Sequence, residues 1–109
     1  METVTSRLIP VLAECAGLCY QCAVACLGED DIKGLSKCIK LDIDCAEICQ
    51  SASAFVSRDS DHAKHLLKEC AEICRRCAEE CMKHSHMVHC NKCSHACLIC
   101  AEACENSLQ

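Results

Sequence analysis

Cysteines recur at steps of three and four residues along most of this chain, and that spacing limits the fold more than any other feature. A run with steps of 4, 3 and 4 spans 15–26, is repeated at 70–81, and recurs with a fifth cysteine at 90–104. The run at 38–49 keeps the same steps, with Asp42 in the slot of the missing cysteine. The sixteen cysteines are Cys15, Cys19, Cys22, Cys26, Cys38, Cys45, Cys49, Cys70, Cys74, Cys77, Cys81, Cys90, Cys93, Cys97, Cys100 and Cys104. Such steps keep side chains on one face of an α-helix, so the spacing predicts four helices that turn thiols inward.

Three polar breaks, at 28–31, 57–61 and 84–86, divide the chain into four segments with helical periodicity. No stretch alternates with the period of two that a half-buried strand would show. Short connections favour antiparallel neighbours. The sequence therefore predicts an all-α fold, an antiparallel up-down-up-down four-helix bundle with a Cys-lined core, as a single domain over 1–109. The predicted helices cover approximately 7–27, 32–57, 61–83 and 87–106.

The composition requires the cysteines to lie in the core. The hydrophobic fraction of 51% includes all 16 cysteines, and the aromatic residues are one Tyr and one Phe. A chain of 109 residues has too few other apolar side chains to fill an ordinary core. Free cysteine packs as a small hydrophobe, so buried thiols can replace them. One interpretation is that the cysteines are buried only as small apolar side chains. Sixteen cysteines on the same face of four helices favour a metal site instead.

Charge and local composition exclude several other classes. The net charge is −5, and no basic run or aromatic platform indicates nucleic acid. The uncharged stretches are too short to span a bilayer, so we expect no membrane association. The segment 1–10 lacks a basic region followed by an apolar one, so we expect no signal peptide and a cytoplasmic location. In that reducing compartment cysteines remain thiols rather than disulfides. We also expect no enzyme activity, because the core positions leave no convergent acid–base pair.

The two ends of the predicted seam differ. Aliphatic residues continue it at 8–12, 52–56 and 63–67, which an antiparallel bundle brings together as a dry, closed end. The opposite end is polar and carries borderline or soft ligands, so it predicts an open end where metal enters. A solvated polar turn is the alternative explanation for its histidines. The candidate residues there are Glu29, Met82, His84, His86, Met87 and His89.

Rows of thiolates favour Cu(I), zinc or iron–sulfur clusters among the metals. Binding releases the thiol proton, so exchanging one proton for one Cu(I) ion leaves the core charge unchanged, whereas Zn(II) would add charge. We therefore predict storage of many Cu(I) ions, approximately one per cysteine. Asp42 would be an oxygen contact or a hydrogen-bonding core residue. The alternatives are a zinc reservoir of metallothionein type and an iron–sulfur electron-transfer protein. The bacterial ferredoxin motif C-x-x-C-x-x-C-x-x-x-C-P is absent from the sequence.

The repeated cysteine runs and the His-x-His-Met-x-His-Cys stretch at 84–90 resemble the bacterial copper storage protein family, specifically its cytosolic branch. The resemblance covers nearly the whole chain, and the departure from it is Asp42 in a seam slot. It implies a four-helix bundle that binds many Cu(I) ions inside and loads them at the polar end. It also implies assembly as a homotetramer and a role in copper homeostasis.

Overall fold

The structure, a computed structural model, describes residues 4–109. Its four helices are α1 (Val4–Leu27), α2 (Ser36–Ser57), α3 (Ala63–Met82) and α4 (Val88–Ser107). A short 3₁₀ helix, Lys33–Leu35, precedes α2, and no strand occurs in residues 4–109. The predicted fold class is confirmed: the chain forms an all-α four-helix bundle.

The helices form a ring in which α1 and α3 each pack against α2 and α4. Because each connection is short, consecutive helices run in opposite directions, as expected for an up-down-up-down bundle. The bundle measures 46 × 21 × 18 Å, so its long axis is set by the helix lengths. The N-terminus of α1 and the C-terminus of α2 therefore lie at one end, and the turn between α3 and α4 lies at the other.

The start of α2 is where the structure differs most from the predicted bounds. The sequence predicted a start at residue 32, but the α-helix begins at Ser36, after the 3₁₀ turn. Asp31 accepts a hydrogen bond from the Gly34 backbone nitrogen at 3.0 Å, so its side chain caps that turn. A 3₁₀ turn often precedes an α-helix in this way, and propensity does not distinguish the two. The sequence therefore did not predict the type of the first turn.

Aspartate and serine also shape the turn between α2 and α3. Asp59 has a φ of 52°, a left-handed conformation that aspartate tolerates better than most residues. The Ser60 hydroxyl accepts a hydrogen bond from the backbone nitrogen of His62 at 3.1 Å. This turn reverses the chain at the aliphatic end of the bundle.

By length and composition, α1 could also cross a membrane. Its segment Thr5–Leu27 has a mean hydropathy of 1.6, even though it contains Arg7 and Glu14. The expectation based on uncharged stretches alone missed this segment. A core helix of a soluble protein passes the same test, and α1 turns Leu8, Leu12 and its cysteines into the bundle core. Its apolar character therefore has an explanation in the bundle itself.

Candidate metal centre

All sixteen cysteines are buried, and all are free thiols. Fourteen of them have 0% of their surface exposed, and Cys15 and Cys22 have 1% each. The prediction that the 4-3-4 spacing turns the thiols inward is therefore correct for every helix. The core that would hold leucine and isoleucine in an ordinary bundle is a column of sulfur.

Sulfur atoms from different helices approach each other closely along this column. The Cys45 Sγ of α2 lies 3.4 Å from the Cys74 Sγ of α3 and 3.8 Å from the Cys97 Sγ of α4. The Cys97 Sγ in turn lies 3.6 Å from the Cys19 Sγ of α1. Cys45 and Cys97 thus each have sulfur neighbours on two other helices. We call the whole array of sixteen sulfurs the thiol column.

The thiol column contains overlapping groups of four ligands whose atoms lie within 4.8 Å of one another. A thiolate–metal bond of about 2.3 Å, the length found for zinc, lets two sulfurs on one ion lie up to about 4.6 Å apart. Three all-sulfur groups share members, because Cys15, Cys19 and Cys97 each belong to two of them. Shared sulfurs are bridging ligands, so the arrangement suits a multinuclear cluster better than separate closed sites. The three groups are Cys15, Cys49, Cys74 and Cys100; Cys15, Cys19, Cys45 and Cys97; and Cys19, Cys77, Cys93 and Cys97.

Asp42 places a fully buried carboxyl group inside the thiol column. Its Oδ1 accepts hydrogen bonds from the thiols of Cys77, Cys81 and Cys93 at 3.2, 3.4 and 3.4 Å. Burial, reinforced by the neighbouring Cys93, raises the pKa of Asp42 to about 8. The structure therefore shows the hydrogen-bonding role that was one of the two predicted alternatives. The same carboxyl also belongs to a potential ligand group with Cys22, Cys38 and Cys81.

His89 is the histidine that reaches the thiol column. Its Nδ1 lies 3.5 Å from the Cys90 Sγ, 3.6 Å from the Cys22 Sγ and 3.7 Å from the Cys26 Sγ. Its other ring nitrogen, Nε2, lies 2.9 Å from the Glu29 Oε2. A carboxylate on one ring nitrogen that orients the other toward a ligand group is the usual support of a metal-binding histidine. The structure thus brings two predicted open-end residues, His89 and Glu29, together with three cysteines.

The other candidates at the open end are placed differently. The His84 Nε2 lies 3.2 Å from the Glu80 Oε2, so this ring is paired with a carboxylate of its own segment. His86 is exposed, and Met82 is 44% exposed. Met87 is partly buried and packs against the core. Of the six residues predicted at this end, His89 and Glu29 have the geometry of a metal site.

The sequence and the fold were compared with those of known proteins. A family model described as "Copper storage protein" matches residues 1–109, the full length of the chain. The chain belongs to the copper storage protein family.

Three similar proteins align with this chain over nearly the full length of both sequences. An uncharacterized cysteine-rich protein of Bacillus subtilis, YhjQ, is 40% identical over 106 residues, which are 97% of this chain and 97% of the relative. A cytosolic copper storage protein from Streptomyces lividans with five coppers has a TM-score of 0.93 and 37% identity, covering 96% of this chain and 92% of that one. The Cu(I)-bound copper storage protein BsCsp3 of Bacillus subtilis has a TM-score of 0.92 and 36% identity, covering 98% and 100%.

In this member of the copper storage family, burial opposes ionisation of two thiols at the open end, Cys26 and Cys90. Burial raises the pKa of Cys26 to about 11 and also raises the pKa of Cys90. Both thiols are therefore protonated at neutral pH. A soft cation that binds there must displace a proton from each thiol that it ligates, so uptake is coupled to proton release.

Aliphatic side chains close the opposite end of the column, as predicted. Leu8, Leu12, Val56 and Leu67 are buried there, with exposures of 3, 0, 8 and 5%. Cys104, the last thiol of α4, is also fully buried. The core at the closed end is therefore apolar.

Three buried residues near the column were not predicted. Glu80 is 6% exposed and is partnered by Lys37, Lys83 and His84. Leu35 is 2% exposed, and Ser94 is fully buried. Glu80 directly precedes the seam residue Cys81, so the helical period gave a signal that it lies next to the core. The 3₁₀ turn that carries Leu35 has no such period.

Proposed function

We propose that this chain stores Cu(I): it binds many copper ions through the cysteine thiolates of the thiol column and holds them away from solvent. Its role is binding and storage rather than catalysis. The observation that carries the proposal is the unbroken contact of buried sulfurs across all four helices. The family assignment supports it, as do the structures of similar proteins described as carrying copper.

The charge balance of the core favours a monovalent cargo. A buried charge without a partner is costly. Each Cu(I) that replaces a thiol proton leaves the column neutral, whereas Zn(II) leaves one positive charge unless it displaces two protons. The raised pKa of Asp42 shows how strongly this environment disfavours additional charge. Shared thiolates between adjacent groups then allow low-coordinate Cu(I) ions to be packed along the whole column.

An anaerobic titration of the reduced protein with Cu(I), in competition with a strong chromophoric chelator, tests the proposal. We expect tight uptake that approaches or exceeds one ion per cysteine. Saturation at one to four ions would contradict storage and indicate a small cluster or a zinc-type site. Parallel titration with Zn(II) then separates a zinc reservoir from a copper store. A brown colour in the purified protein would instead indicate an iron–sulfur cluster.

We further propose that copper enters at the open end, by way of His89. Its Nδ1 faces three cysteines, and its Nε2 is held by Glu29, so it offers an imidazole ligand between solvent and the column. Three further residues at or next to the turn between α3 and α4 can deliver copper to His89: the exposed Met82 and His86 and the partly buried Met87. At the closed end the buried seam residues Leu8, Leu12 and Leu67 are aliphatic, which supports loading from the open end.

The proposed location rests on a relative, and the proposed assembly rests on the family resemblance of the sequence. We propose that the protein acts in the cytoplasm, because a similar Streptomyces lividans protein is described as cytosolic. The family resemblance implies a homotetramer. Exposed apolar residues on α1 and α2, including Tyr20, Val24 and Ile43, offer surface for self-association. Light scattering during size-exclusion chromatography measures the subunit number directly, and a monomeric mass would contradict the tetramer.

A further inference from the structure

A groove between α1 and α4 gives lateral access to the upper part of the thiol column. Its volume is about 310 Å³, at the lower end of the range for small-molecule sites. Leu18 and Ala25 of α1 and Val88 of α4 supply its apolar lining. Cys22 and His89 also line it, and their Sγ and Nδ1 atoms lie 3.6 Å apart. Cys22 is one of the two cysteines with any exposed surface. The groove therefore reaches a thiol and an imidazole that belong to one ligand group.

The charge of this groove distinguishes it from another groove between the same helices that also reaches a cysteine. Lys92 lines the groove at Cys22, and no carboxylate lines it. A second groove between α1 and α4 reaches Cys15, the other slightly exposed cysteine, but Glu14 lines it and no cation does. In a chain with a net charge of −5, a lysine beside a thiol that lines the groove is a local attraction for a small anion.

We propose that the groove lined by Cys22, His89 and Lys92 binds a small anionic thiol, which exchanges Cu(I) with the column at Cys22. The proposal rests on the proposed copper storage. Lys92 attracts the carboxylate of the thiol, and the apolar lining accommodates its backbone. The incoming sulfur then approaches the copper at the open end from the side of the bundle, between α1 and α4. This gives a route for removing copper without opening the helices.

The exchange is a ligand substitution without electron transfer. The incoming thiol forms a bond from its sulfur to Cu(I), and the bond from Cu(I) to the Cys22 Sγ breaks. The proton that the incoming thiol loses passes to the Cys22 thiolate. Copper remains Cu(I) throughout, so no oxidant or reductant is needed. His89, next to Cys22 in the same ligand group, can hold the ion while the two sulfurs change places.

The test compares Lys92→Glu with Lys40→Glu in anaerobic, Cu(I)-loaded protein. Lys40 is an exposed lysine on α2, which does not form the groove, so the two variants have the same net charge. Reduced glutathione serves as the anionic thiol and 2-mercaptoethanol as the neutral one. The readout is the thiol-dependent rate at which copper passes to an excess of chromophoric chelator. We expect Lys92→Glu to lower the glutathione rate by roughly 3- to 10-fold, since one exposed attraction becomes a repulsion.

The same variant should leave the rate with 2-mercaptoethanol unchanged, and Lys40→Glu should affect neither thiol. The difference between the glutathione rates of the Lys92→Glu variant and the wild type should also become smaller at high salt. Equal effects of the two variants, or an equal loss with both thiols, would overturn the proposal. Copper capacity is measured first by equilibrium titration. A low capacity would refute storage itself, whereas normal capacity with no Lys92 effect would refute the groove alone.

Discussion

The two ends of the bundle follow the same 4-3-4 spacing but carry opposite chemistry. At the closed end the seam slots hold Leu8, Leu12 and Leu67, which exclude water. At the open end the last thiols, Cys26 and Cys90, meet the His89 imidazole. The spacing decides which positions face the core, and the residue type in each slot decides what the core does there. Stability and metal exchange are thereby assigned to different ends of one column.

This comparison implies that the closed end stabilises the fold without copper. Burying a leucine side chain contributes about 1.5–3 kcal/mol, and cysteine contributes less because it is smaller. The thiols in the column also leave the core rich in small side chains. The aliphatic end therefore supplies a disproportionate share of the hydrophobic stabilisation of the metal-free bundle.

The largest expected effect comes from removing the thiols. Replacing all sixteen cysteines with alanine should abolish most copper binding, because the remaining donors are the few at the open end. Equilibrium titration against a chelator measures the loss. Circular dichroism shows whether the variant still forms helices. A folded variant that takes up many Cu(I) ions would contradict binding in the column.

Two smaller sets of cysteine substitutions test the deep part of the column and the open end separately, and each leaves most of the core in place. Changing Cys15, Cys49, Cys74 and Cys100 to alanine removes the ligand group deep in the column. We expect a lower capacity with an unchanged initial loading rate. Changing Cys22, Cys26 and Cys90 to alanine should lower both. Identical kinetics in the two variants would show that loading does not depend on the open end.

The next effect concerns stability at the closed end. Leu12→Ala should lower the free energy of unfolding of the metal-free protein by about 2–5 kcal/mol, because it leaves a cavity at a fully buried site. Copper capacity should remain unchanged. Denaturant unfolding under reducing conditions measures the change. Ile99→Ala, at a site 61% exposed on α4, is the control and should cost less than about 0.5 kcal/mol.

Asp42 gives the metal-free bundle a pH dependence that a purely aliphatic core would lack. Its pKa is about 8 in the fold and about 3.9 in an unfolded chain. Because the folded pKa is raised, the contribution is fully present below about pH 4 and is lost as the pH rises through about 8. The slope is at most about 1.4 kcal/mol per pH unit.

Asp42→Asn isolates this contribution from that of other titrating groups. We expect the difference in unfolding free energy between variant and wild type to change steadily between about pH 4 and pH 8, in favour of the variant at higher pH. Chemical denaturation at several pH values, with copper excluded, measures it. A difference that is constant across this range would mean that the Asp42 carboxyl ionises normally in the fold.

The sequence predicted the bundle and all of the inward-facing thiols, because a run of cysteines at helical spacing has one common face. It also indicated the closed and open ends. It did not distinguish His89 from His84, since both stand near the end of a helix and within three residues of a seam cysteine. The difference depends on the turn at 83–87, which directs the His89 ring across to Glu29, in the turn after α1, and leaves His84 beside Glu80. Contacts of that kind between distant segments have no signature in local spacing.

The smallest expected effect is kinetic and concerns His89. His89→Ala should slow the loading of Cu(I) roughly 10-fold, comparable with the loss of a supporting group at other metal sites, and change the capacity by about one ion at most. Glu29→Gln should slow loading less, because the ring remains but its orientation is no longer fixed by a carboxylate. Stopped-flow mixing with a Cu(I)–chelator complex measures the rates. His95→Ala, at an exposed position on the same helix, is the control and should load normally.

Changing His84, His86 and His89 together should add little to the effect of His89→Ala. A triple variant much slower than the single one would show that copper passes along the whole turn before it reaches the column, whereas normal loading in all of them would move the entrance away from this end.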